Sequence, residues 1–273
     1  MSIFLPWHGE RSMGVCALCL KDSVLRDSHL IPKSAYRAIG KNKHRKQPPV
    51  LIFSKEKLAI SSDAQVKKYL LCSICEQKLS DKENIVAKYW YRGSGFLLRN
   101  QLRQMRIYSD LQGQRYFDSY PPVKLSEDDC FYFFVSILWR ASMGPWPKYE
   151  GLKFVNEEVM EEIRTYLLGV TPPPEKVKVI VWVDWDGLIQ AMLTLPMKDS
   201  TGNFASLLLL GMYVEIHVMD GGSDISALAA RSIKDKVLMV LDKRRCRDVY
   251  ERVARVARGA DNRKVLKFDG LSQ

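Results

Sequence analysis

The chain is expected to fold as an α+β protein, with a small metal-clamped module at the N-terminus followed by a domain of helices and a small antiparallel sheet. Three observations carry this. Cys16-Ala17-Leu18-Cys19 and Cys72-Ser73-Ile74-Cys75 are two CxxC pairs, and together they supply the four soft thiolates of a tetrahedral structural zinc site. Ser126-Glu127-Asp128-Asp129 and Asn156-Glu157-Glu158 open two helical stretches with side chains suited to capping. Apolar runs rich in β-branched residues follow at 176–183, 188–195 and 207–218, as strands require.

Taken in order, residues 1–15 carry little pattern, and His8 is assigned no role. After the first CxxC, residues 23–31 alternate as a strand does and Pro32 ends the run. Residues 33–39 have helical spacing closed by Gly40, a residue suited to a helix C-terminus. Residues 41–49, which include His44, form a basic loop without apolar anchors. Residues 50–53 and 57–60 read as a short hairpin, and 67–71 lead into the second CxxC. From Cys75 an unbroken run places Leu79, Ile85 and Val86 at apolar positions, so a helix starts at the metal. Knuckle, strand, turn, knuckle, helix is the order of a treble-clef finger.

Residues 89–106 mix aromatic side chains with Arg92, Arg99, Arg103 and Arg106, a mixture that serves phosphate contact and stacking as readily as an ordinary exposed helix. Residues 113–122 read as loop, and a boundary near here separates domains 1–108 and 109–273. Beyond it lies a strongly apolar core helix over 130–142 that holds Trp139 and Arg140. An amphipathic helix then runs to Leu168, before Pro172-Pro173-Pro174. The three strands come next, with Gly211 as a bulge in the third and His217 as a structural residue. A basic helix from about 225 to 258 closes the domain.

At 273 residues, 47% hydrophobic and 10% aromatic, the chain can bury a real core and does not have the composition of a disordered one. The N-terminus lacks the charged and apolar regions of a signal peptide, and the longest apolar runs, 130–139 and 204–214, fall short of a bilayer span. A cytoplasmic protein without a membrane segment is therefore expected. In a reducing compartment the four paired cysteines point to metal, and Cys130 and Cys246 are packing residues.

Charge is divided unevenly along the chain. Residues 16–108 hold 19 Lys and Arg against 7 Asp and Glu, residues 109–224 hold 9 against 17, and residues 225–273 hold 13 against 6. The basic first block coincides with the metal module, and such a field favours a polyanion, above all a nucleic-acid backbone. Charge alone does not separate DNA from RNA.

The metal module resembles a known family. CxxC, a strand ending in Ser28-His29-Leu30-Ile31-Pro32, and Leu70-Leu71-Cys72-Ser73-Ile74-Cys75-Glu76 opening a helix with a further Glu83 resemble the zinc-containing HNH nucleases of the ββα-metal fold. The nearest likeness is to a bacterial subgroup with SHIIPK and LLCxxCE motifs. The likeness covers residues 13–95, about a third of the chain.

The resemblance implies a metal-dependent endonuclease that hydrolyses phosphodiesters of double-stranded DNA. Such enzymes often act in defence against phage, with a second copy or a defence-system protein as partner. His29 matches the general base, and an imidazole suits that task near neutral pH. A hard divalent ion, Mg²⁺ or Mn²⁺, would take carboxylates. Asp27, two along the strand from His29, is one candidate; Glu76, at the family's helical ligand position, is another; and Glu83, two turns further on, completes the catalytic set. Cys16, Cys19, Cys72 and Cys75 would hold the structural Zn²⁺. The chain departs from the family in having Ser28 directly before His29, and in having Lys67 near the place of the central Asn, with Asn84 the nearest substitute on the helix. The competing reading is a catalytically degenerate zinc-finger protein that binds DNA or regulates.

Overall fold

The structure is a computed structural model, and it describes residues 12–40, 50–53, 58–61, 65–92, 95–105, 109–111, 114–116, 123–147, 149–152, 157–198, 204–219 and 236–259. His8, His44 and the basic stretch 41–49 lie outside the described residues. The chain enters through β1 (Met13–Val15), β2 (Asp22–His29) and α1 (Lys33–Gly40), then the hairpin β3 (Val50–Phe53) and β4 (Leu58–Ser61). It returns through β5 (Lys67–Cys72), which runs straight into α2 (Ser73–Val86). Strands β1, β2 and β5 form an antiparallel sheet with β2 in the middle, so part of the lead-in is a strand after all.

A second minimal hairpin, β6 (Tyr91–Arg92) and β7 (Gly95–Phe96), leads to α3 (Leu97–Gln104), and β8 (Ser109–Leu111) and β9 (Gln114–Tyr116) follow. Helix α4 (Glu127–Ser142) starts where expected: Ser126 Oγ accepts the Asp129 N–H at 3.1 Å, and Glu127, Asp128 and Asp129 fill the first turn, where carboxylates complement the helix dipole. Its apolar run leaves it buried on every side, packed between α2, α5 (Glu157–Leu168) and a sheet.

That sheet contains β8, β9, β10 (Val177–Asp184), β11 (Met197–Lys198), β12 (Phe204–Leu209), β13 (Met212–Val218) and β14 (Val237–Asp242). Strand β10 is buried on both faces. Val177, Val179, Val181 and Val183 join the core around α4, whereas Ile180 and Trp182 pack under Cys246 and Val249 of α6 (Arg244–Gly259). The α4-side core runs without a break from Cys16 through α2 and α4 to Leu241. Among the described residues no helix is long and apolar enough to cross a membrane.

Several expectations about this half are corrected. The sheet is neither small nor antiparallel throughout: among the described residues it has seven strands, and β14 runs parallel to β10. The stretch 225–258 is not one helix within the described residues, because 237–242 is that parallel strand; its five-residue apolar run, 237–241, has no periodicity that separates strand from buried helix. The stretch 188–195 is not a strand. The Asp184 carboxylate accepts the N–H groups of Asp186, Gly187 and Ile189 at 3.2, 3.0 and 2.7 Å, which coils the chain after β10 into a tight loop.

Residues 207–218 are also divided, since Leu209 pairs with Met212 across the two-residue turn Leu210-Gly211. Both turn residues have positive φ, 49° and 95°, the conformation that matches hairpin twist. Gly211 is thus a turn residue and not a bulge. A Cβ there would meet the Phe96 ring at 2.5 Å. Leu210, buried in this left-handed conformation, is held from outside: its N–H donates to Met192 O at 2.9 Å and its carbonyl accepts from Tyr91 N–H at 2.8 Å.

Candidate metal centre and its neighbouring histidine

The first CxxC turns tightly after β1. Leu20 N–H donates to Cys16 O at 2.8 Å, Cys16 N–H donates to Lys21 O at 3.0 Å, and Leu20 itself has φ 59°. The second CxxC spans the end of β5 and the first turn of α2. Antiparallel pairing of β2 with β5 brings the two together, and the four Sγ atoms lie within 4.8 Å of one another. Cys19 and Cys72 Sγ are 3.9 Å apart and all six cysteines are free thiols. A tetrahedral zinc with bonds of about 2.3 Å sets sulfurs about 3.8 Å apart, whereas a disulfide needs about 2.05 Å. The donor set and its spacing therefore fit zinc.

Local backbone groups favour ionisation at this centre. Burial opposes the Cys16 thiolate, but hydrogen bonds from the backbone of Cys19, Cys72 and Leu18 outweigh it and lower the thiol to about 7; the Cys72 N–H lies 3.2 Å from Cys16 Sγ. Burial and the neighbouring sulfurs push Cys75 up, and burial pushes Cys19 up. A bound cation reverses such shifts by stabilising thiolates directly. Arg164 of α5, bonded to Glu161 at 2.5 Å, donates to Leu18 O at 2.7 Å and braces the first knuckle.

Next to the cysteines, β2 ends in Asp27-Ser28-His29. Its pairing with β5 slips between Arg26 and Asp27, and after the slip Ser28 turns inward. Fully buried, Ser28 donates through Oγ to Glu76 Oε2 at 2.6 Å. Asp27 is exposed at the sheet surface and paired with Lys67. Glu83 forms an ion pair with Arg140 of α4 at 2.7 Å, and both side chains are largely buried. Burial raises Glu83, partly offset by Arg140, while the charge of Glu76 on the same helix adds to the rise.

His29 is half-buried, and its Nε2 lies 2.7 Å from Gln65 Oε1. An amide oxygen only accepts, so Nε2 carries the proton and Nδ1 is the ring's acceptor. Burial lowers the His29 pKa; Gln65, Asp27 and Glu76 oppose that, and Lys33 reinforces it. The His29 carbonyl accepts from Arg140 Nη1 at 2.9 Å, which fixes the end of the strand from the opposite side. Tyr36 of α1 stands with its ring 6.4 Å from the imidazole.

The structure thus brings Cys16, Cys19, Cys72 and Cys75 into one cluster, and among the described residues no other group of three or more Cys, His, Asp or Glu ligand atoms converges in this way. Asp27, His29, Glu76 and Glu83 lie around the end of β2 and the facing side of α2, each with its own partner. Two contributors escaped the sequence reading. Gln65, two residues before Lys67, places its amide oxygen 2.7 Å from His29 Nε2. Arg140 is a lone charge inside an apolar helix, and that was the available signal, since such a residue is almost never buried unpaired. Comparison with protein-family models, curated proteins and solved structures finds no match. An imidazole whose Nε2 donates to Gln65, near four cysteines that could hold a metal, leaves Nδ1 as an acceptor.

Proposed function

We infer that this chain is an HNH-type endonuclease in which a treble-clef, ββα-metal module clamped by Zn²⁺ hydrolyses double-stranded DNA, with His29 as general base. The observation that carries the reading is the bond from His29 Nε2 to Gln65 Oε1 at 2.7 Å, an imidazole held in one tautomer within a block of 19 basic and 7 acidic residues. Nδ1 takes the proton of the attacking water, and burial keeps the ring neutral and ready to do so. Gln65 and Arg140 act as positioning residues, one on the ring and the other on the backbone carbonyl.

Glu83 is occupied by Arg140 and does not fit a divalent ion. Glu76, with Oε2 engaged by Ser28, and exposed Asp27 are the carboxylates that Mg²⁺ or Mn²⁺ would take. Held there, the ion would supply charge neutralisation at the scissile phosphate. The test is supercoiled plasmid incubated with the purified chain and Mg²⁺, Mn²⁺ or EDTA. Metal-dependent nicking that disappears in His29→Ala, with zinc content unchanged, supports the nuclease.

One observation favours a second reading, a zinc-stabilised DNA-binding or regulatory module without catalysis. Asp27 and Glu83 are both matched by cations, Lys67 and Arg140. In the same assay that reading expects no cleavage, with salt-sensitive DNA binding retained.

A further inference from the structure

Strands β1 and β2 turn an apolar face to solvent. Met13 and Val24 are directly paired across the two strands, so their side chains stand side by side on one face. Met13 is 66% exposed, Val24 38%, and Val15, two along from Met13, 56%. Alternation along β2 puts Asp22 and Arg26 on that same face, two residues to either side of Val24, and both are exposed. The slip in the pairing of β2 with β5 comes only after Arg26. Leu25, pointing the other way, packs against the core.

The two charges beside Val24 are unmatched. Among the described residues neither the Asp22 nor the Arg26 side chain has an ion pair or hydrogen bond. Asp27 and Lys67, at the same surface, pair with each other. The face therefore carries two acids and two bases, although it belongs to a block of 19 basic and 7 acidic residues. A locally neutral, apolar surface offers little to a phosphate backbone and suits a protein. Strand β1, three residues long, is too short an edge to hold an extended peptide through its backbone.

We propose that this face docks a second copy of this chain across a two-fold axis that passes over Val24. An isologous interface needs a patch complementary to itself, and the order Asp22, Val24, Arg26 is such a patch. Laid antiparallel on its own copy, it sets each Asp22 against the partner's Arg26 and stacks Val24 on Val24 and Met13 on Met13 at the axis. The two charges are about 13 Å apart along the strand at 3.3 Å per residue, so both cross-axis pairs form together. A parallel arrangement sets Asp22 on Asp22 and Arg26 on Arg26, so charge fixes the direction. The inference does not depend on the function proposed above.

The experiment is sedimentation velocity of the full-length chain over a wide concentration range in low-salt buffer containing zinc. The parent is expected to form a dimer that dissociates on dilution. Asp22→Arg and Arg26→Asp should each weaken it at least about tenfold, because each turns both cross-axis pairs into like charges. Mixed in equal amounts, the two variants should associate with each other, since one then supplies two arginines and the other two aspartates. The double variant Asp22→Arg/Arg26→Asp should likewise recover, and Val24→Asp should not dimerise. Unchanged zinc content and Tm in every variant separate lost docking from lost fold. A parent that stays monomeric, a dimer that survives both single reversals, or a mixture that fails to associate overturns the proposal. A monomeric parent whose affinity for duplex DNA falls in Val24→Asp assigns the face to nucleic acid and overturns it too. Plasmid nicking, present or absent, leaves the result unchanged.

Discussion

Arg140 donates from Nη1 to the backbone carbonyl of His29 at 2.9 Å and pairs through Nη2 with Glu83 at 2.7 Å. One buried guanidinium of the central helix therefore ties the end of β2 to α2, the two elements that flank the histidine.

Breaking that tie on one side should be costly. Glu83→Gln removes the counter-charge and leaves Arg140 buried, a loss on the order of 3–5 kcal/mol and a fall in Tm on the order of 10 °C. The double variant Arg140→Met/Glu83→Leu is expected to recover most of this in thermal unfolding. By contrast, Lys67→Ala breaks only the exposed pair with Asp27 and should change stability by about 1 kcal/mol or less.

The pH dependence of stability follows from His29. Its ordinary value is 6.5 and burial lowers it in the folded chain. Between the two values the unfolded chain binds more protons, so stability falls as pH drops from 6.5 toward the folded value and levels off below it. Urea unfolding from pH 7.5 to 5.5 should show this decline, and His29→Gln should flatten it. If the nuclease reading holds, the acid limb of kcat/KM lies below pH 6.5 for the same reason.

Zinc should be present at one ion per chain by elemental analysis, with Cys16→Ser or Cys72→Ser losing it. Because the site joins β1, β5 and α2, whose cysteines lie in the buried core, chelation is expected to lower Tm and loosen that whole region, as seen by hydrogen exchange.

Gly211→Ala tests the hairpin. At φ 95° an L side chain costs about 1–2 kcal/mol, and the new Cβ would stand 2.5 Å from Phe96. The variant should lose more than the backbone cost alone in thermal unfolding.

What the sequence disclosed depended on how local the signal was. CxxC spacing, the Ser126 cap and the apolar run of α4 are read within a few residues, and all three appear in the structure. The hairpin at Leu210 was illegible because a buried Leu in a left-handed turn breaks the usual turn chemistry and is sustained by Tyr91 and Met192, distant in sequence. Strand β14 was illegible because its partner β10 lies some sixty residues earlier and its five apolar residues are followed within three positions by a basic helix. At the candidate site, the convergence of the four cysteines was legible, while the contacts of Gln65 and Arg140 with His29 are ones that only the fold creates.

Gln65 separates catalysis from binding most sharply. Gln65→Leu keeps much of the side-chain volume but removes the acceptor for Nε2–H, so the imidazole no longer has one imposed tautomer or orientation. If His29 is the base, cleavage should fall about 10–100-fold, the size usual for loss of a partner that orients a working histidine, while zinc content, Tm and DNA affinity change little. Gln65→Glu should retain more activity than Leu but shift the acid limb upward, since a carboxylate 2.7 Å from the ring stabilises the imidazolium. A merely structural Gln65 would alter Tm and leave the pH profile where it was.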